Sequence, residues 1–265
     1  GKFETPVLRA MNFKNYMEKR KLYIGEGELI VGEKSEAPQV APTFPELCAH
    51  TVEDMTVMSE RKYINFKTTE EERIIQAEKI LPYWQGKSTR DKILASMTQE
   101  WKDCYAAGMF TEFMEQRAPG HTVADDKFYH KGFLEFKEEI EEAIDVLDFL
   151  NDAEAYDKKA QLEAMAISCD AIIVYGQRYA AYARELAEKE ANQQRKEELL
   201  WIAHNCDVVP ANKPETYAQA LQMYWFVHIG VTTEVNTWDA FSPGRLDQYL
   251  YPFYKKEVEA GAIDY

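Results

Sequence analysis

The chain has 265 residues, 46% of them hydrophobic, enough to bury a sizeable core as one or two domains. Asp and Glu number 46 against 31 Lys and Arg, a formal net charge of −15 at pH 7. A field of that sign repels phosphate backbones and anionic headgroups, so neither nucleic acid nor a membrane surface is an expected partner.

The longest apolar stretch, Met223 to Val231, contains His228 and falls far short of the roughly 20 residues that cross a bilayer. The opening Gly1-Lys2-Phe3-Glu4-Thr5-Pro6 lacks the apolar core of a signal peptide and reads as the middle of an element cut open. Cys48, Cys104, Cys169 and Cys206 lie far apart with no CxxC spacing, which argues against zinc, an iron–sulfur cluster or a redox dithiol. They fit reduced thiols in a cytoplasmic protein, with Cys169 as a small core hydrophobe.

In chain order, a helix is expected from Val7 to Arg20, with Leu8, Met11 and Phe13 for packing. Gly25 to Gly32 contains a GxG, but no helix start follows it, so a short buried strand bounded by glycines is expected in place of a dinucleotide loop. Pro38, Pro42 and Pro45 mark an irregular surface loop. Glu46 and His50 stand four apart and could share a helix face, but two ligands do not make a metal site. Thr68-Thr69-Glu70-Glu71-Glu72 opens a helix running to Pro82, with a hydroxyl cap and an acidic first turn. Thr98 to Gln116 repeats Trp101, Tyr105, Met109 and Phe113 at steps of four, as a half-buried helix does.

Arg117 to Thr122 is a Pro-Gly turn, and a histidine in such a loop, His121, is by itself more often a surface residue. Helices follow from Asp125 to Leu150 and from Asp157 to Glu190. The second carries a stripe of mostly small residues, from Leu162, Met165, Ala166, Cys169, Ile172 and Ile173 through Gly176, Tyr179, Ala180 and Ala183 to Leu186 and Ala187. Such a stripe lets another helix approach closely. Leu199 to Asn205 is a short helix, and Pro214 suits the first position of the next, which turns apolar all round and belongs in the core, with His228 a satisfied core histidine.

Gly230 then reads as a helix stop, and Val231-Thr232-Thr233-Glu234-Val235 as a strand running toward Trp238. Asp239 falls near the end of that strand, where α/β enzymes place working groups, although a lone Asp there is more often an N-cap or turn residue. Ser242-Pro243-Gly244 is turn chemistry, and Arg245 to Gln248 begins another helix. No repeat, low-complexity run or linker is visible, so residues 1–265 read as a single unit.

The string from Asn236 to Gln248, NTWDAFSPGRLDQ, resembles the hallmark of the glycyl radical enzymes, the pyruvate formate-lyase-like superfamily. Glu28 to Lys34, Ala41 to Glu46, Thr111 to Thr122 and Cys206 to Ala211 agree with it, so the likeness runs along nearly the whole chain. It implies a mainly α chain with a few β-strands, the N-terminal part of a ten-stranded α/β barrel. It also implies a lyase that removes a hydrogen beside the ring nitrogen of trans-4-hydroxy-L-proline and releases the hydroxyl as water, giving a pyrroline carboxylate. Alternatives are a diol or choline-type eliminase, an arylacetate decarboxylase, or a binding or scaffold fragment without chemistry. His121 and Asp239 match family positions that line the substrate pocket and are implied in binding and proton management; Phe241 is implied as a pocket wall. Arg245 and Asp247 are implied as structural. The implied partners are a small-molecule substrate, a radical-activating enzyme that uses S-adenosylmethionine and an iron–sulfur cluster, and a second copy in a homodimer. The family's radical-glycine and thiyl-cysteine loops lie beyond Tyr265, so the chain alone is expected to be inactive, to bind no cofactor or metal itself, and to expose a large apolar surface around Met223 to Trp238.

Overall fold

A computed structural model describes residues 3–40, 42–110, 124–234 and 242–263. Every regular element among them is helical: α1 (Thr5–Lys19), α2 (Val52–Glu60), α3 (Glu70–Ile75), a π-helical turn (Gln76–Ile80), α4 (Leu81–Trp84), α5 (Thr89–Ser96), α6 (Gln99–Ala106), α7 (Lys127–His130), α8 (Phe133–Asp145), α9 (Ala155–Lys189), α10 (Gln193–Val208), α11 (Tyr217–Glu234) and α12 (Leu246–Glu259). The expected β-strands, and with them the portion of a ten-stranded α/β barrel, are absent from the described residues.

Two local causes explain that correction. Val231 to Glu234 continue α11, and Gly230 does not stop it. Thr232 Oγ1 donates to the carbonyls of His228 (2.8 Å) and Ile229 (3.3 Å), so the β-branched residue satisfies its hydroxyl within the helix. Gly230 packs closely within the core: a Cβ there would lie 2.3 Å from Ile172 Cδ1, which would have to shift. The other expected strand, Gly25 to Gly32, is buried at Val31 but has helix side chains as partners in place of a neighbouring strand. Val31 N–H donates to Gln222 Oε1 (2.8 Å), and Gln222 Nε2 returns a bond to Val31 O (2.6 Å). Trp225 Nε1 donates to Gly32 O (2.7 Å), and Arg195 to the carbonyls of Gly25 and Glu28 (both 2.9 Å).

Contacts cluster into two compact units, one holding the described residues of 1–33, 120–234 and 241–265, the other those of 34–119. In the first, α1, α8, α10 and α11 pack on the 35-residue α9. Its centre is an aromatic triad: Tyr175 and Tyr179 on α9 and Phe226 on α11, with ring centroids 5.0 to 5.7 Å apart and all three side chains fully buried. Burial of each such side chain stabilises the fold by about 1.5–3 kcal/mol. The small stripe of α9 does allow close approach, since a Cβ on Gly176 would lie 2.4 Å from Pro210 Cδ. Met165, at the start of the stripe, is exposed.

The single helix expected over 125–150 is divided at Gly132 into α7 and α8. The first amides of α8 have external acceptors: Phe133 N–H donates to Pro210 O and Leu134 N–H to Ala211 O, both at 3.0 Å. This approach leaves no room for a side chain, because a Cβ on Gly132 would sit 2.2 Å from Ala211 O. Met223 and Phe226 are fully buried, and no residue from Met223 to Glu234 is exposed, so the large apolar surface expected there is not found in the described part of that stretch.

The second unit is made of short helices closed by their own side chains. Thr51 and Asp54 form a reciprocal capping box on α2, as do Thr69 and Glu72 on α3. Ser88 and Thr98 cap α5 and α6. Residues 35–45 are irregular where described, as their prolines lead one to expect.

Candidate functional site

His121, Asp239 and Phe241 lie outside the described residues; the described chain flanks them at Phe110 and Ala124 and at Glu234 and Ser242. The segment with Asp239 leaves the C-terminal end of α11 at Glu234 and rejoins the fold at Ser242. Glu234 is held from α1, since Arg9 binds its carboxylate through Nε and its carbonyl through Nη2 at 2.9 Å. Beyond the segment, Gly244 adopts φ +69° and its amide donates to Ser242 Oγ (3.1 Å), the turn that Ser-Pro-Gly specifies. Arg245 is the N-cap of α12, and its carbonyl accepts from the amides of Gln248 (2.9 Å) and Tyr249 (3.0 Å). Asp247 stands in the first turn, where a carboxylate suits the helix dipole. Both therefore have a structural placement.

The segment with His121 rejoins the fold at Ala124 and Asp125, two successive non-glycine residues at φ +55° and +52°. The Asp125 carboxylate accepts the hydroxyl of Tyr249 on α12, a contact across 124 positions of sequence. Asp125 thus touches α12, the helix that begins four residues after Ser242.

The floor under that meeting point is aromatic. Tyr129 on α7 packs against Tyr249 (ring centroids 5.6 Å) and Phe253 (6.4 Å), within a cluster that includes Phe128, Met223, Val227 and Leu250. Its hydroxyl is buried and has no hydrogen-bond partner among the described residues. Burial, with smaller contributions from the Tyr224 and Tyr249 hydroxyls, pushes the Tyr129 phenol well above the usual tyrosine range. The bond to Asp125 raises Tyr249, and burial raises Tyr224. All three are therefore neutral phenols at physiological pH. Tyr224 Oη lies 3.3 Å from His228 Nδ1, and the Trp225 ring stacks on the His228 imidazole at 5.4 Å, so His228 is partnered as a core histidine should be. None of Asp125, Tyr129 and Tyr249 stands out in the sequence, because only the fold brings them together.

Other features carry less. Burial pushes the Cys169 thiol up to about 11 and Cys206 further still, so neither is a ready thiolate. Among the described residues no group of three or more His, Cys, Asp and Glu could hold a metal, and no helix is long and apolar enough to cross a membrane. A surface groove of about 620 Å³ lies between Gly25 to Gly27 and the junction of α9 with α10. Its Arg195 is already engaged by Glu198 (2.8 Å) and by two backbone carbonyls.

The comparisons with known proteins bear on the same segments. The chain is 61% identical over 264 residues to a trans-4-hydroxy-L-proline dehydratase of Clostridioides difficile, a match covering all of this chain and 34% of that protein. The crystal structure of hydroxyproline dehydratase from that organism, with trans-4-hydroxy-L-proline bound, superposes with a TM-score of 0.92 over 100% of this chain and 34% of the other. A structure concerned with 1,2-propanediol dehydration in Roseburia inulinivorans gives 0.87 at 30% identity, covering 99% of this chain and 31% of the other. The chain thus spans about a third of the length of the relatives it matches. All of it, residues 1–265, matches the pyruvate formate lyase-like family, and the chain belongs to that family.

Proposed function

We propose that this chain contributes the substrate-holding part of a glycyl radical lyase that dehydrates trans-4-hydroxy-L-proline to a pyrroline carboxylate. The 61% identity along the whole chain to a dehydratase of that substrate carries the reading. In the family a glycyl radical, installed by an activating enzyme with S-adenosylmethionine and an iron–sulfur cluster, passes to a cysteine thiyl that abstracts the substrate hydrogen. The residues of this chain have a different task. A hydroxyl leaves as water only if it is given a proton, and imidazole or a carboxylic acid are the side chains suited to give it. His121 and Asp239 fill that role and bind the substrate's polar groups, while Phe241 covers the ring.

The experiment is an Asp239→Asn substitution in the full-length enzyme, activated anaerobically. Its packing is near-isosteric while its charge is lost, so turnover should fall by about 10²–10⁴-fold with the fold intact. Unchanged kinetics would remove Asp239 from the site. Because neither a radical-glycine nor a thiyl-cysteine string occurs in residues 1–265, the chain alone should not turn over hydroxyproline under the same assay. The parent is read as a cytoplasmic homodimer that meets its activating enzyme transiently.

A further inference from the structure

We draw no further inference here: the strongest candidate, the exposed apolar patch of Val146, Leu150 and Tyr156 at the connection of α8 with α9, beside a groove of about 500 Å³, belongs to a chain that spans about a third of the length of its relatives, and nothing in the structure shows what covers it.

Discussion

In the unit of residues 34–119 the starts of α2, α3, α5 and α6 are closed within a few residues of themselves, by Thr51 with Asp54, Thr69 with Glu72, Ser88, and Thr98. Only Cys48, Met55, Gln76 and Ser88 are buried among its described residues, and Tyr63, Ile64 and Met109 are exposed by 72%, 80% and 74%. The other unit reverses this. Its longest helix, α9, has no side-chain cap but contributes thirteen buried residues. The contrast separates two sources of order: local hydrogen bonding that a helix carries with it, and tertiary burial that exists only when distant segments meet.

The first way to break that comparison is to empty the centre of the α9 unit. Phe226→Ala in the full-length protein removes a fully buried ring from between Tyr175 and Tyr179, and should cost about 3–5 kcal/mol in denaturant unfolding. A cost below about 1 kcal/mol would mean that the triad relaxes to fill the space. Next comes the polar counterpart. Gln222→Leu keeps the volume but strips Val31 of both its backbone partners, leaving a buried N–H and C=O unpaired. Each such group costs about 1–3 kcal/mol, so the two together should cost about 2–6 kcal/mol. Hydrogen exchange at the Val31 amide should accelerate more than at α9 amides, and equal acceleration would argue against a local role.

In the other unit the expected effect is smaller. Thr69→Ala removes one half of a capping box and should cost about 1 kcal/mol, read as fraying of α3. A loss as large as that from Phe226→Ala would show that the 34–119 unit depends on long-range packing after all.

The same contrast decided what the sequence could reveal. Thr69 and Glu72, the Ser-Pro-Gly turn ending at Gly244, and the small-residue stripe of α9 are all written within a few residues of where they act, and each is legible. The strand expected at Val231 to Val235 was drawn from β-branched residues whose propensity is overridden once α11 is buried and Thr232 bonds back to its own helix. Gly25 to Gly32 misled for the opposite reason. Its burial is real, but its partners are the side chains of Gln222, Trp225 and Arg195, some 170 to 190 positions away, and no periodicity records such pairing. The break at Gly132 is set by the carbonyls of Pro210 and Ala211. His121 and Asp239 are proposed only from the family strings around them, whereas the contacts of Asp125, Tyr129 and Tyr249 carry no local signal at all.

Tyr129 offers the finest test of the comparison, because burial and hydrogen bonding there pull in opposite directions. Its ring belongs to the aromatic floor beneath α12 and should stabilise the fold, but its hydroxyl is buried without a partner, and such a group is destabilising relative to hydrogen. Tyr129→Phe keeps the ring, leaves the Asp125 to Tyr249 bond intact, and removes only the stranded hydroxyl. The substitution should therefore stabilise the protein slightly, by no more than about 1 kcal/mol, where most core substitutions destabilise. A stability loss would instead show that the hydroxyl finds a partner in the full-length protein. A stability gain with reduced turnover would place that same hydroxyl in service of the neighbouring site, since packing alone gives no reason for a more stable enzyme to slow.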